Sequence, residues 1–585
     1  MKKTLSILLA VAMLLGCMMM TSCGKVAENM TLNVGAYPDT VDPALNSAVD
    51  GATYIVHVFS GLVGWEQDDS GKLVLVPQCA KELPEAVKTE DGKVSYTYEL
   101  KDDLKWSDGT ALTANDFVYA WNRAADPETA ADYGYMFDCI DGYAEMNEMN
   151  DKGELVNPDA KLNVTASEDG KSVTVVLPVD VPYFHELTAF PAYMPVRKDI
   201  IEEHGEAWAT KAETYIGNGA YKVTEFTNSQ MVLEKNEYFF DAKRVKTEKL
   251  TFAFNDDDVS LLTNYQNGSY LFIDSVPNDE IASLQDKEDF HVEGQLGTYY
   301  VSFNVNDPAL KDFTQEEKAK IRKALGLTID RNYICEEIGQ AGQVPAAGFV
   351  AMGLTEPDGK EFIEKNGPKR DGKGYYSVAA EDYKANCDEA IKLLTEVADS
   401  SKKFTIKDGK VSGFPTLTYL TNDGTAHEAI AAYLQQVWGT YGITVKVEVQ
   451  EWATFLNTRK NGEYSVARNG WLGDYNDPIS FLDMWITDSG NNDTQFGRGD
   501  HANFKGYEGK TWAETYDKII AEVKTTSDPE KRFELMHDAE DILMETGAIC
   551  PIYYYTDIYM CSTAIDGFFA SPLGFKYFMY SSVKG

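Results

Sequence analysis

The sequence predicts an α/β protein of compact lobes. Three features carry that expectation: strictly alternating apolar segments, capped amphipathic segments between them, and no long linker. Residues 93–100 read Lys-Val-Ser-Tyr-Thr-Tyr-Glu-Leu, so Val94, Tyr96, Tyr98 and Leu100 share one face. That period of two is the mark of a half-buried strand. Ile443, Val445, Val447 and Val449 repeat it, with Thr444, Lys446, Glu448 and Gln450 between them. Val173, Val175 and Leu177 make a third strand. Helix starts are equally readable. Thr113 to Asp116 and Thr314 to Glu317 form capping boxes, in which an N-cap hydroxyl and an acid three residues on satisfy each other's orphan backbone donors. Thr425 to Glu428 predicts a third box, with Gly439 as the stop, and Ser527 to Glu530 a fourth helix start. Gly/Asp turns such as Asp91-Gly92 and Asp108-Gly109 separate the elements. Strands and helices alternate throughout, and no internal repeat or low-complexity tract interrupts them.

Composition narrows the function. The chain has 585 residues, 44% apolar and 12% aromatic, enough for two to four domains with real cores. That apolar content excludes a disordered tail protein. The net charge of −40 repels phosphate backbones, so a general nucleic-acid binder is not expected. The N-terminus predicts export. Lys2 and Lys3 precede an apolar stretch from Leu5 to Leu15, and residues 1–22 read as a lipoprotein signal peptide. Met20-Thr21-Ser22-Cys23 looks like a lipobox that places a palmitate-bearing anchor on Cys23. Leu14-Leu15-Gly16-Cys17 fits too, but Gly24-Lys25 begins a polar tether and favours Cys23. No other run of about 18 apolar residues exists to cross a bilayer. The expected object is a monomeric exported body, lipid-anchored at the extracytoplasmic face of the cell membrane. The remaining cysteines are scattered, without C-x-x-C, and do not form a zinc set.

Searches for catalytic constellations fail. H-E-x-x-H and G-x-S-x-G are absent. Gly509-Lys510-Thr511 resembles the end of a phosphate loop, but Phe504 holds the first glycine position. Asp474-Tyr-Asn476-Asp477 suggests a calcium loop, yet Ile479 and Trp485 occupy the positions that need Gly and Glu. No enzyme, cofactor or metal is therefore expected. Two clusters stand out instead: Lys105 to Val118, and Arg468 to Leu482. Both set Trp, Gly and Asp side by side, where backbone approaches closely and an Asp can meet a cation. Each is equally readable as a capped turn beside a core Trp.

These segments resemble the extracytoplasmic solute-binding proteins of peptide ABC transporters, oligopeptide-binding type (solute-binding protein family 5). The resemblance rests on Thr40-Val-Asp42-Pro43, Gly61-Leu62-Val63, Lys105-Trp-Ser-Asp-Gly-Thr110 with its Leu-Thr-Ala-x-Asp-Phe-Val sequel, Asn218-Gly-Ala-Tyr221, and Arg468 to Leu482. It implies a two-lobed clamp of the type II periplasmic-binding-protein kind with three domains. Lobe 1 would comprise residues 23–59, 198–296 and 557–585, the inserted second domain 60–197, and lobe 2 297–556. An extended peptide would lie between the lobes, held by added-strand pairing and hydrated pockets.

By the same resemblance, Asp474 pairs with the peptide α-ammonium and Trp471 walls that site. Tyr133 contacts the peptide, Arg459 and Arg468 line the cleft, and Trp452 and Tyr555 are aromatic lining. His427 meets the C-terminus of some peptides. Three departures stand against the pattern. Ser47 replaces a cleft glutamate, Gly339 replaces a lysine serving the peptide C-terminus, and Gly297 and Leu472 occupy the positions of an occasional disulfide. The implied partners are an oligopeptide ligand, a permease pair and, through it, ATPase subunits. The same architecture also serves nickel, haem, sugar and peptide-signal receptors, which is the alternative function.

Overall fold

A computed structural model describes residues 29–584, apart from 69, 151, 507 and 508. The expected signal peptide and the Cys23 anchor site lie outside the described residues. None of the described helices is long and apolar enough to cross a membrane.

In chain order, β1 is Asn29–Asn33 and α1 is Val49–Val58. A four-stranded antiparallel sheet follows, made of β2 (Val87–Lys88), β3 (Val94–Glu99), β4 (Val164–Ala166) and β5 (Ser172–Leu177), with α2 (Ala114–Ala125) against it. Tyr96 pairs with Val175 and Tyr98 with Val173, so the two alternating segments predicted as strands lie side by side. Their apolar faces close on Phe117, Ala120 and Trp121 of α2, all buried. Asp116 accepts from the Thr113 N–H at 2.7 Å, the cap the sequence predicts.

The chain then enters a large mixed sheet. Its strands are β6 (Tyr221–Phe226), β7 (Gln230–Lys235), β8 (Lys249–Ala253), β9 (Phe272–Ile273), β10 (Phe290–Phe303), β11 (Leu417–Asn422), β12 (Val445–Gln450), β13 (Val466–Leu472) and β14 (Ile549–Cys561). With β1 they are ordered β12-β11-β13-β10-β14-β9-β1-β8-β7-β6. The long antiparallel pair β10 and β14 runs through both halves. Residues 290–294 pair with 556–560 on one side, and 298–302 pair with 549–554 on the other. Between Gly294 and Thr298 the register shifts. The sheet is continuous but broken at its middle, which is where two bodies can rotate about a pair of strands. At that break Gly297 faces Leu472 across the ladder. A Cβ on Gly297 would lie 2.2 Å from Leu472 Cδ2, so the apolar Leu472 side chain fills the space beside this glycine.

Helices cover the second half: α3 (Gln315–Leu327), α4 (Tyr383–Ser401), α5 (Thr425–Thr440), α6 (Trp452–Lys460), α7 (Trp512–Thr525) and α8 (Pro529–Thr546). Thr314 and Glu317 cap α3 reciprocally, at 3.0 and 3.2 Å. Three boundaries differ from the sequence reading. The N-cap of α8 is Asp528, whose carboxylate accepts from Glu530 and Lys531. The segment Gly509-Lys510-Thr511 is no such difference: it is a turn, as expected, that leads into Thr511 as the N-cap of α7. Thr425 does not cap α5: its N–H and O–H both donate to Asp258, which supplies a carboxylate to the helix N-terminus from across the molecule. That helix also runs past Gly439 to Thr440. Gly442 (φ +85°) is the turn residue, since a Cβ there would sit 2.3 Å from the Val411 carbonyl. Val449 is 40% exposed, because β12 is the edge of the sheet.

Most motif blocks prove to be architecture. Asp42 holds Arg123 in a bidentate pair at 2.9 and 2.6 Å and accepts from Trp208 Nε1. Asn218 exchanges two hydrogen bonds with the Ser60 backbone. In the Lys105–Val118 cluster, Asp108 caps its own turn through Thr110 and accepts from Arg197 at 2.8 Å, beside the buried Trp106. That cluster is a capped turn beside a core Trp, and it does not line the cleft.

Candidate functional site

A cavity of about 440 Å³ opens beside the register break. This is within the range of small-ligand sites. All eight residues named from the sequence line it: Tyr133, His427, Trp452, Arg459, Arg468, Trp471, Asp474 and Tyr555. Tyr133 comes from the segment between α2 and β4, and the other seven come from the β11–β14 half.

Strand β13 delivers the core of the site. It carries Arg468, Gly470 and Trp471, then turns at Gly473 into Asp474 and folds back over Ser480. Ser480 fastens this turn. Its carbonyl accepts from Trp471 Nε1 at 2.7 Å, and its hydroxyl accepts from the Asp474 N–H at 2.8 Å. The Asp474 carboxylate accepts from Tyr133 O–H at 3.0 Å, and Ser480 Oγ lies 3.4 Å from its other oxygen. It is 8% exposed, and among the described residues no cationic nitrogen lies within salt-bridge distance. Burial pushes its carboxyl well above the ordinary range, against the opposing pull of the Tyr133 bond. A buried carboxylate in this condition gains strongly from an incoming ammonium.

Arg468 is its cationic counterpart. Its Nε donates to Asn422 Oδ1 at 2.6 Å, and its guanidinium stacks 5.2 Å from both the Trp452 and Phe455 rings. It has no carboxylate partner among the described residues, and burial lowers its pKa. Arg459 differs. Its Nε lies 2.7 Å from Asp493 Oδ2, so its charge is compensated within the protein.

His427 stacks on Tyr299 at 5.7 Å, and its buried Nδ1 has no hydrogen-bond partner among the described residues. Burial, then Arg468, hold its pKa well below the ordinary value. At neutral pH it is therefore an uncharged hydrogen-bonding group and not the cationic end of an ion pair. Tyr555 lies edge-on to Tyr299 and Tyr553, and its hydroxyl crosses the face of Gly470. A Cβ on residue 470 would stand 2.2 Å from that hydroxyl, so this glycine is required for close approach.

The opposite wall was not found from the sequence. It is built from the segments Asn33–Ala36 and Asn46–Ala52, with Asp258, Asp274, Leu573 and Phe575. Asp50 had no distinguishing signal, since an acid in the first turn of a helix is the ordinary complement to the helix dipole. Asn422 did have one. It ends a strand with parallel neighbours, and ligands collect at the carboxyl ends of such strands. Of the departures, Ser47 Oγ donates to Asp132, and Gly339 does not line the cavity. Asp477, in the calcium-like segment, is taken by Arg532 in a bidentate pair at 2.7 and 2.9 Å.

Contacts across the cleft tie the two sides together. Asp132 pairs with Lys460, and Asp138 with Lys524 at 2.7 Å. Tyr183 stacks on Tyr475 at 4.5 Å, and Glu186 accepts from the Asn476 N–H.

Comparison with known proteins agrees with this geometry. Residues 74–493 match the family described as bacterial extracellular solute-binding proteins, family 5, middle. The oligopeptide-binding protein OppA of Bacillus subtilis is 30% identical over 573 residues, covering 96% of this chain and 94% of that one. The crystal structure of Haemophilus influenzae OppA in complex with the peptide RPPGFSPFR superposes with a TM-score of 0.79, at 26% identity, over 96% of this chain and 100% of that chain. A structure of the Escherichia coli murein tripeptide-binding protein MppA, 27% identical, gives 0.79 over 96% of this chain and 100% of that one. The unliganded open form of MppA gives only 0.57, over 96% and 99%. The two sides of the cleft are thus arranged differently from that open form. The α/β fold with its large sheet, the cleft at the strand pair and the match over most of the chain lead to one assignment: this chain belongs to the bacterial extracellular solute-binding proteins of family 5.

Proposed function

We propose that this protein captures oligopeptides between its two lobes and delivers them to an ABC importer. The observation that carries the reading is the Asp474 carboxylate, buried, hydrogen-bonded to Tyr133 and without a cation among the described residues. A peptide α-ammonium supplies that cation in a water-poor site, where charge-assisted hydrogen bonds are strong. Arg468 is placed to receive a carboxylate, His427 acts as a neutral donor or acceptor, and Trp452, Trp471 and Tyr555 form apolar walls. Tyr133 closes the ammonium site from the facing side. Arg459 supports the floor through Asp493. Relatives named as oligopeptide-binding, one of them in complex with a nonapeptide, support this ligand class.

The lobes would be residues 23–59 with 198–296 and 557–585, carrying the insertion 60–197, against 297–556. Residues 1–22 would be removed and Cys23 acylated, holding a monomer at the extracytoplasmic face of the membrane beside its permease and ATPase partners. Each buried CH₂ of the acyl chains would contribute about 0.8 kcal/mol to that anchorage.

Native mass spectrometry of the purified protein, followed by tryptophan-fluorescence titration with peptides of two to twelve residues, tests the reading. A ladder of co-purified peptide masses and saturable binding is expected. Failure to bind any peptide overturns it and moves a non-peptide solute to first place. An N-terminal peptide from the membrane fraction that begins at an acylated Cys23 tests the anchor.

A further inference from the structure

The charges that face the cavity do not balance for a simple peptide. Asp474 and Arg468 are the unpaired anion and cation already described. Arg459 is matched by Asp493. Asp258 is satisfied by Ser275 and Thr425, at 2.6 and 2.8 Å. Asp274 lies 3.1 Å from Lys576 Nζ, which also holds Asp557 at 3.0 Å. His427 is neutral. Asp256 and Asp423 sit at the exposed mouth, where water screens them.

Asp274 and Asp557 thus share one ammonium, and Asp258 is held by neutral donors; among the described residues that line the cavity, one further carboxylate has neither a cation nor a bonded donor on its buried oxygen. Asp50 lines the cavity from the first turn of α1, on the wall facing Arg468 and Trp471. Its Oδ1 is shielded from solvent and accepts no hydrogen bond. The Gly51 N–H and the Trp452 indole N–H lie near enough to pull its pKa down, but neither closes a hydrogen bond on Oδ1, and the indole N–H is itself buried without a partner among the described residues. No Lys, Arg or His nitrogen among the described residues reaches Asp50, and burial pushes its carboxyl up to about 6.

A peptide with free termini brings one ammonium and one carboxylate. Asp474 and Arg468 take those two and leave Asp50 uncompensated. We infer that Asp50 forms a third charged subsite, which selects peptides carrying a Lys or Arg side chain. This rests on the peptide-capture reading and adds to it: the preferred ligand carries one more positive charge than a neutral zwitterion. The mechanism is electrostatic completion. An incoming side-chain cation gives Oδ1 its missing donor and removes a buried unpaired charge, which an apolar side chain of equal length cannot do.

A lysine scan tests it. Alanine pentapeptides with free termini carry Lys at positions two to five in turn, each matched by norleucine at the same position. Binding is measured calorimetrically on the full-length protein and on Asp50→Asn. At one position the wild-type protein is expected to bind Lys at least about tenfold more tightly than norleucine, the scale of one charge-assisted hydrogen bond. That ratio is expected to collapse towards one in Asp50→Asn. The ratio is the readout, so a general change in affinity does not imitate the effect. Asp50→Ser serves as the second variant if the first melts early. Equal binding of Lys and norleucine at every position overturns the inference and leaves peptide capture standing. A lysine preference that survives both variants also overturns it. If neither series binds, peptide capture and the third subsite fall together.

Discussion

Replacing Asp474 by Asn removes a charge and keeps a shape. The amide oxygen can still accept from Tyr133 O–H, the backbone N–H still donates to Ser480, and the side chain still fills its place beside Trp471. What is lost is the anion. Removing one member of a buried, hydrogen-bonded charge pair costs about 2–5 kcal/mol, so peptide affinity is expected to fall by about thirtyfold to several thousandfold. Stability is expected to move the other way. Burial raises the Asp474 pKa, so native stability falls as pH rises from the ordinary carboxylate range towards that raised value, where the native state holds a proton the unfolded chain has released. Asn never pays this cost, and the ligand-free variant should melt at or above the wild-type temperature at neutral pH. Titration calorimetry with a peptide and its Nα-acetyl form closes the cycle. Acetylation should weaken binding to the wild type severely and binding to Asp474→Asn little further. Full binding by Asp474→Asn, or affinity and stability falling together, would refute the ammonium site.

Three further outcomes follow from other parts of the structure. Arg468→Met should weaken binding of peptides with a free C-terminus by about tenfold or more while scarcely affecting their C-terminal amides, since Arg468 has no carboxylate partner among the described residues; equal losses for both would show a role in packing alone. Gly470→Ala forces a Cβ to within 2.2 Å of the Tyr555 hydroxyl, an overpacking cost of about 1–3 kcal/mol. Tyr555→Phe should restore part of the lost thermal stability, and no rescue would place the strain elsewhere. Glu540 in α8 is buried beneath the Phe349 and Val350 N–H groups, and burial pushes its carboxyl from 4.5 to about 7. Between those values the native state binds a proton that the unfolded chain has released, so the wild type loses stability as pH rises through this window. Glu540→Gln does not titrate, and its unfolding free energy should gain on the wild type from pH 5 to 8 by on the order of 3 kcal/mol in all, read as a rising difference in melting temperature. A constant difference would refute the assignment.

The sequence disclosed this molecule unevenly, and for physical reasons. Strands half-buried against a helix announce themselves, because one face must be apolar: Val94 to Leu100 and Val173 to Leu177 were read correctly and prove to be neighbours. Caps made by a helix's own residues, Thr113–Asp116 and Thr314–Glu317, were also legible. The cap of α5 was not, because its carboxylate, Asp258, is 167 residues away. The two Trp/Gly/Asp clusters looked alike in sequence and differ in place. Asp108 spends its carboxylate on Thr110 and Arg197, whereas Asp474 has only a phenol and a hydroxyl. Local composition cannot report that difference, since it depends on whether a cation from elsewhere in the chain arrives. All eight residues expected in the cleft line one cavity, yet the wall bearing Asp50 was silent, because a first-turn acid is commonplace and only the fold leaves this one unpartnered.

The same unpartnered charges explain why closure should depend on ligand. Bringing the two sides together gains Asp132–Lys460, Asp138–Lys524 and the Tyr183–Tyr475 stack. The partly exposed Asp132–Lys460 pair is of a kind worth about 0–1 kcal/mol, and the more buried Asp138–Lys524 pair loses much of its Coulombic gain to desolvation. Against them stand Asp474, Asp50 and Arg468, drawn from water without partners, and the residual penalty for each such ion is several kcal/mol. Closure alone therefore gains less than it costs. A ligand whose charges answer these three groups reverses the balance, and it does so by binding the closed arrangement better than the open one, which is the only way a ligand can shift such an equilibrium. Selectivity and closure then come from one set of residues. A peptide that leaves Asp50 or Arg468 unanswered should bind less tightly and also hold the lobes closed for a smaller fraction of time, so that small-angle scattering and calorimetry rank a peptide series in the same order.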